Sequence, residues 1–575
     1  MIDYRNEYHK WIHAKSMDSQ LKKELEKISE DEAEIQDRFY SDLSFGTAGL
    51  RGILGAGTNR MNIYVVGRAT RALGKVIQKQ GEKFSEKGVA IAYDCRIMSP
   101  EFAEMCSLIL ASMGIKVYLF DSLRPTPELS YAIRYYQCAA GINITASHNP
   151  KTYNGYKVYW EEGSQIKSDI ANQVLEEISK MDLFEANEIL TIAEAKEQGL
   201  LITINKEVDE SFYEKTMSVS LRDEDVDKNI GIIYTPLNGT GNIPVRTVLK
   251  RMGYKNVHVV AEQEKPDGTF PTIEYPNPED HAAFALSEKL ALEVGADVLI
   301  ATDPDCDRLA VEVVHKGAIE ALNGNQVGVL MINYLLMSMA EKNTIPKNAA
   351  IVKSIVTGEM GSAIAKDYGV KMFDVLTGFK NICALANDWD KTEEYTYILG
   401  YEESIGYNIG SYLRDKDGVS ATLILAEMAG YYKKLGKTLI DALNDLYKKY
   451  GYYRENTISI VLEGIEGQER IKRMMVEYRK NYISSIGTSK LIEVTDYAIS
   501  EVTTVLTGEI GTITVEKTDA VKYKFDDGCW YTLRPSGTEP KIKLYIYTKA
   551  DTKEVADTKL QEIEKLVVGL LNNIQ

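Results

Sequence analysis

Ala139-Ala140-Gly141-Ile142-Asn143-Ile144 runs directly into Thr145-Ala146-Ser147-His148-Asn149-Pro150. An apolar run that stops abruptly at small and polar residues reads as a buried strand feeding a sharp loop. Such a loop holds a serine hydroxyl at a rigid edge, where it can act as a nucleophile; a serine that only closes a turn fits the same residues. Working outward, Val89-Ala90-Ile91-Ala92-Tyr93 and Lys116-Val117-Tyr118-Leu119-Phe120 read as two more strands. Between them Ser99-Pro100-Glu101 opens a helix, with Ser99 as N-cap and Pro100 at the first helical position. Residues 128–137 read as the next helix. This alternation predicts a mostly parallel sheet with helices on both faces, and it puts Ser147 at the carboxyl end of a strand, where open α/β sheets bind ligands. Asn154-Gly155 reads as a hairpin turn, from which Lys157 would project back toward the serine loop.

Upstream, residues 1–40 are highly charged and carry Tyr4, Tyr8, Trp11 and Ile12 near helical spacing, so one or two amphipathic helices are expected there. Phe45-Gly46-Thr47-Ala48-Gly49-Leu50-Arg51-Gly52 is a glycine-rich loop with one arginine. It fits neither the GxxxxGK nor the dinucleotide spacing; a loop that approaches a phosphoester and a plain turn are both open. Downstream, three more blocks follow. The second carries the strand Ile230–Tyr234, a proline-rich loop, a helix over 281–295 and the strand Ala296–Ala301. The third carries a helix over 325–340 and the strand Ala350–Lys353. The fourth shows a helix near 468–481, antiparallel-type alternation over 511–547 and a terminal helix over 552–573. No repeat is visible as residue identity. The expected organisation is three similar α/β domains with mixed, mostly parallel sheets (1–202, 203–322 and 323–452), then a C-terminal α+β domain (453–575).

Composition narrows the function classes. With 44% hydrophobic and 26% charged residues the 575-residue chain is of globular type, and its net charge of −17 disfavours nucleic acid or an anionic membrane as a partner. No apolar run approaches the roughly 18 residues of a membrane span, and the N-terminus lacks a signal-peptide core. The six cysteines never form CxxC, which suits reduced thiols in a cytoplasmic location. Histidines at zinc-hydrolase spacing are absent.

Three constellations carry chemistry. Asp303, Asp305 and Asp307 alternate in a loop directly after an apolar strand. Crowded carboxylates repel unless a cation neutralises them, and hard oxygen ligands suit Mg²⁺ or Ca²⁺. The EF-hand alternative fails because Arg308 and Val314 stand where glycine and glutamate are needed; a solvated acidic turn is the plain rival. Arg534, Ser536, Gly537, Thr538 and Lys543 collect cations, hydroxyls and backbone amides in a tight loop, an inventory that matches a phosphate monoester or, more plainly, a capped turn. Glu402 and Ser404, beside glycines, could read sugar hydroxyls or form a solvated face.

Taken together, TASHNP (145–150), DPDCDR (303–308), GYEES (400–404) and RPSGTEP (534–540) resemble the α-D-phosphohexomutase superfamily. FGTAGLRG, PDGTFPTIEYPNPE and TGFK support the resemblance in the family's order, over about 45–545. The wording GYEESIGY and the long amino-terminal segment are most similar to the phosphoglucomutase/phosphopentomutase branch. The resemblance implies four domains around a central cleft, with Ser147 carrying a transferable phosphoryl group. Asp303, Asp305 and Asp307 would be the Mg²⁺ ligands, completed by a phosphoserine oxygen at Ser147. Arg308 would hold phosphoserine or substrate, with Lys157 as general base and Arg51 close to the reacting centre. Lys380 would contact substrate, Glu402 and Ser404 would read sugar hydroxyls, and Arg534, Ser536, Gly537, Thr538 and Lys543 would grip the distal phosphate. His148 would touch the phosphate.

The activity implied is a phosphoglucomutase that interconverts α-D-glucose 1-phosphate and glucose 6-phosphate, primed by glucose 1,6-bisphosphate. A phosphopentomutase, a sugar-phosphate phosphohydrolase and a non-catalytic sugar-phosphate binder are the rivals. The expected partners are small sugar phosphates, and the expected state is a monomer or homodimer.

Overall fold

The computed structural model describes residues 3–185, 188–462, 464–536 and 541–574. The chain divides into two compact units. One comprises Met1–Gly324, Pro346–Ala349 and Phe379–Thr438; the other comprises Asn325–Ile345, Ala350–Gly378 and Leu439–Gln575.

The first unit begins with three helices, Tyr4–Ile12, Ser19–Lys27 and Glu32–Phe39, where one or two were expected. Three aspartates explain the breaks: the side chains of Asp3, Asp18 and Asp31 each accept from the first turn and start a helix. The apolar faces of these helices join the core of the first sheet. Trp11 is fully buried there, with edge-on aromatic contacts to Phe39, Tyr64 and Phe184 at 5.7, 5.7 and 5.2 Å.

The first sheet orders Leu50–Ile53, Tyr153–Trp160, Ala140–Ile144, Val89–Tyr93, Val117–Phe120 and Leu201–Ile204. The last four are mutually parallel, and the first two run antiparallel at one edge. Three readings change. Ser99 is the first helical residue, not the N-cap: Met98 holds that position at φ 68°, and the Ser99 hydroxyl donates to Asp94 at 2.8 Å. Asn154-Gly155 is not a turn but part of a strand, paired with Gly52 and Arg51 on one side, while on the other the Gly155 carbonyl accepts from the Thr145 amide at 3.1 Å. The chain reverses earlier, through the serine loop itself. Finally, Leu201–Ile204 pairs with Val117–Phe120, so a domain boundary at 202 would cut a strand of the first sheet.

The second sheet orders Ala318–Leu322, Leu309–His315, Val298–Thr302, Ile232–Thr235 and Val257–Val259. Its last three strands are mutually parallel, and the two that follow Thr302 in the chain form an antiparallel pair at the other edge, Leu309–His315 running antiparallel to Val298–Thr302. The helix expected over 281–295 is a 3₁₀ turn, His281–Phe284, followed by an α-helix, Ala285–Val294. The unit closes with helix Phe379–Thr392, the antiparallel pair Thr396–Glu402 and Gly406–Ile409, and helix Gly418–Lys434.

In the second unit, Ala349–Ser354 and Lys371–Val375 pair in parallel. A larger antiparallel sheet orders Tyr452–Val461, Lys541–Ala550, Trp530–Pro535, Val521–Phe525, Ser489–Asp496, Glu501–Thr504 and Glu509–Thr512. Helices Gly464–Lys480 and Lys553–Asn573 supply Met474, Met475, Ile563, Val567 and Leu571 to its core. Among the described residues, no helix is long and apolar enough to cross a membrane.

Trp11→Ala would empty a fully enclosed site between the amino-terminal helices and the first sheet. It should destabilise the first unit by about 3–5 kcal/mol, read as a lower urea midpoint of its unfolding transition; an unchanged midpoint would show that the helices contribute nothing to the core.

Candidate active site

Ser147 sits at φ 51°, a left-handed conformation that costs free energy for a residue with a side chain. Its amide donates to Thr145 Oγ1 at 2.8 Å, and its hydroxyl, almost fully buried, donates to Asp303 Oδ2 at 2.6 Å. The hydroxyl also lies 3.2 Å from His148 Nδ1. The loops after Ile144 and after Thr302, both at carboxyl ends of parallel strands, therefore meet on one oxygen.

The three aspartates are each at most 1% exposed, and one oxygen from each falls within 4.8 Å of the others. Asp303 Oδ1 accepts from the amides of Asp307 and Arg308 at 3.1 and 3.0 Å, which fixes the loop. Asp305 Oδ2 accepts from Thr126 Oγ1 at 2.8 Å and from Lys157 at 2.7 Å. Asp307 Oδ2 lies 3.0 Å from Lys416 Nζ and 3.4 Å from Lys157 Nζ. Asp305 Oδ1 and Asp307 Oδ1 are buried without a hydrogen-bond partner. Burial, then repulsion from Asp305 and Asp307, pushes the Asp303 carboxyl well above its usual range. Burial opposes ionisation of Asp305 too, yet Lys157 holds it well below the usual range. Buried hard oxygens without a hydrogen-bond partner, crowded with a third carboxyl, fit a divalent cation.

The surrounding cations come from four segments. Lys157 lies opposite Asn143 on the strand that returns from the serine loop, so it reaches back toward Ser147 as expected, although by strand pairing and not by a turn at Asn154. Against its burial, Asp305 and Asp307 keep it an ammonium, a proton donor in this state. Arg51 pairs with Gly155 across the edge of the sheet and donates to Asn149 Oδ1 at 3.1 Å. The preceding glycines form a tight turn, Gly46 bridged to Gly49. A Cβ on Gly49, at φ 75°, would lie 1.8 Å from the Tyr156 carbonyl, so glycine is obligatory for this approach. Burial, then Arg308 and Arg51, drives the His148 imidazole well below its ordinary range, leaving it neutral.

The GYEES segment is the hairpin after Glu402, and it seats on the aspartate loop. The Leu309 amide donates to the Ile405 carbonyl at 3.1 Å, Arg308 is bridged to Gly406, and Arg308 Nη1 lies 3.4 Å from the Ser404 carbonyl. Glu402 is buried at the strand end. Lys380 follows Phe379, whose ring lies 5.8 Å from Lys416 Nζ, in the first turn of its helix. In the second unit, Arg534 and Lys543 are direct cross-strand partners, and the Ser536 amide donates to the Lys541 carbonyl at 2.8 Å. Gly537 and Thr538 lie outside the described residues.

Sequence reading missed Lys416, Thr126 and Asp415. Asp415 accepts from Tyr159 and Gln165 at 2.7 and 3.3 Å and from the Lys416 amide at 2.8 Å, and the Gly418 amide, three residues on, donates to the Cys306 carbonyl at 3.1 Å. The signal was the alternating charge of Arg414-Asp415-Lys416-Asp417-Gly418, which in one dimension looks like a solvated turn.

Four family models match in chain order: phosphoglucomutase/phosphomannomutase α/β/α domain I over 42–184, domain II over 210–316, domain III over 323–450, and the C-terminal domain over 493–565. The chain belongs to the phosphoglucomutase/phosphomannomutase family, and with it to the phosphohexomutase class of isomerases. A phosphoglucomutase of Staphylococcus epidermidis (strain ATCC 12228) is 36% identical over 530 residues, covering 92% of this chain and 95% of that protein. One of Staphylococcus haemolyticus is 36% identical over 535 residues, covering 92% and 94%. Among solved structures, a family protein from Burkholderia thailandensis superposes with TM-score 0.66 at 17% identity, covering 93% and 99%. The Paramecium phosphoglucomutase parafusin, in its open form, gives 0.64 at 16%, covering 93% and 95%.

Mg²⁺ added to the substrate-free protein should raise the stability of the first unit, by about 2.7 kcal/mol at roughly 100 times its Kd. Asp305→Asn and Asp307→Asn should each lose most of that gain in thermal denaturation with and without EDTA. Equal Mg²⁺ effects in all three proteins would exclude the aspartate loop as the site.

Proposed function

We propose that this protein is a phosphoglucomutase that interconverts α-D-glucose 1-phosphate and D-glucose 6-phosphate through a phosphoserine at Ser147 and glucose 1,6-bisphosphate. The observation that carries the reading is the Ser147 hydroxyl 2.6 Å from Asp303, beside two unpartnered carboxylate oxygens and inside a ring of cations. The names of the relatives at 36% identity favour glucose over pentose phosphates. Mg²⁺ held by Asp303, Asp305, Asp307 and a Ser147 phosphoryl oxygen would supply charge neutralisation at the transferred group.

The protein's own residues do the rest. Phosphoryl transfer demands alignment and charge stabilisation more than covalent work. The left-handed turn fixes the Ser147 oxygen, and Arg51, Arg308 and neutral His148 offer donors to a phosphoryl group there. Lys157 gives or takes the proton exchanged with the sugar hydroxyl. Glu402 and Ser404 read the sugar, Lys380 contacts it, and Arg534, Ser536, Gly537, Thr538 and Lys543 hold the phosphate at its other end. After the first transfer the bisphosphate reverses, so the same cradle accepts either phosphate. Burial around Ser147 keeps water from the phosphoserine. We assign four domains along the lines read from the sequence, with the first boundary moved past Ile204, and place the enzyme in the cytoplasm, where six free thiols are at home.

With bisphosphate primer and Mg²⁺, glucose 1-phosphate should be converted with a higher kcat/KM than ribose 1-phosphate; the reverse preference would make the protein a phosphopentomutase. Release of inorganic phosphate without isomerised sugar would make it a hydrolase. Ser147→Ala should lose turnover while still binding glucose 6-phosphate, and substantial residual mutase activity would overturn the assignment of the nucleophile.

A further inference from the structure

Arg96 is a buried arginine outside the motifs above, with its side chain 0% exposed. Its guanidinium is spent almost entirely on one segment. Nη1 donates to the carbonyls of Pro150 and Tyr153 at 2.9 and 3.0 Å, and Nη2 donates to the carbonyl of Ser147 at 2.6 Å and to that of Asn149. The carbonyls of Ser147, Asn149 and Pro150 lie in the loop between two strands and that of Tyr153 at the first residue of the return strand; the Pro150 carbonyl also accepts from the Tyr153 amide at 3.0 Å, and the planar fork ties all four together where the ladder begins. Arg96 is itself fixed. Its amide donates to Asp94 Oδ1 at 2.9 Å, and its Nε lies 3.4 Å from Asp94 Oδ2. Its guanidinium carbon lies 5.1 Å from the ring centre of Phe270, which is 2% exposed. Phe270 comes from the proline-rich loop of the second α/β region. That loop presses against the Arg96 backbone so closely that a Cβ on Gly268 would meet the Cys95 carbonyl at 2.6 Å and the Ile97 amide at 2.7 Å.

We propose that Arg96 is the positioning residue of Ser147: its fork on these four carbonyls holds the serine in the left-handed turn that aims its hydroxyl at Asp303, and Phe270 locks that fork in place. The catalytic consequence rests on the phosphoglucomutase reading; the structural one does not. The Pro266–Pro271 segment thereby acts on the serine through Arg96.

Two measurements on the full chain separate these parts. Without substrate, hydrogen exchange of the 145–153 segment should accelerate in Arg96→Ala and, to a smaller degree, in Phe270→Leu, while the strand Val298–Thr302 keeps its protection. Unchanged exchange in a folded Arg96→Ala protein would overturn the proposal. If Arg96→Ala does not fold, Phe270→Leu decides it by the same readout. With glucose 1-phosphate, primer and Mg²⁺, Arg96→Ala should lose about 100-fold in kcat with little change in KM, as expected when a reacting group is misplaced by about 1 Å. Guanidinium ion should restore part of the rate to Arg96→Ala, and Arg96→Lys should remain impaired, since a lysine cannot fork. A kcat equal to wild type, or a loss that guanidinium leaves untouched, would refute the positioning role. A wild-type protein inactive on glucose 1-phosphate would instead refute the functional reading, and the exchange experiment would still judge Arg96.

Discussion

Three carboxylates packed out of water within 4.8 Å of each other set the terms for everything around them. Like charges in a low-dielectric pocket cannot all ionise unless positive charge is brought to them. The fold brings it from separate places: Lys157 from the first sheet, Lys416 from the start of a helix, and Arg308 from the aspartate loop's own end. Even so, crowding pushes one carboxyl well above its usual range and two carboxylate oxygens keep no hydrogen-bond partner, a set of hard oxygens that could hold a metal ion. The His148 imidazole belongs to the same balance: burial, then Arg308 and Arg51, holds it well below its ordinary range.

Each functional loop is built by one device. A strand carries the chain to the rim of a sheet, the loop forms there, and the next strand returns antiparallel beside the first. This holds for the serine loop between Ala140–Ile144 and Tyr153–Trp160 and for the aspartate loop between Val298–Thr302 and Leu309–His315. It holds also for the segment between Thr396–Glu402 and Gly406–Ile409. The return strand pins the loop at both ends, so its few residues have little freedom, and it delivers side chains such as Lys157 back to the loop it left.

That device also marks where sequence reading succeeded and where it failed. The buried strands were legible because they are continuous apolar runs, and the motifs because Ser, Asp and Gly cluster where each run ends. The return strands were harder. Tyr153–Trp160 is buried on both faces, so Asn154-Gly155 inside it carried a turn signal with no turn, and Tyr452–Val461 alternates too weakly to stand out. Ser99 as N-cap failed because its hydroxyl is used by Asp94. The amino-terminal region yielded its helical character but not its three helix starts, which lie in single aspartates among many other charges. Lys416, Thr126 and Arg96 were invisible for a different reason: their roles arise from contacts across more than fifty positions of chain, which no local pattern records.

The hydrogen bond between Ser147 and Asp303 spans 156 positions of chain. At a translation rate of about 5–20 residues per second, roughly 8–30 s separate the emergence of its two ends from the ribosome. For that interval the nascent first sheet carries its serine loop with the hydroxyl bonded only locally, and it must stay soluble without the element that covers it. The amino-terminal helices are made before any of this and cap the early core around Trp11. They give the first sheet a finished face while its rim waits for the second.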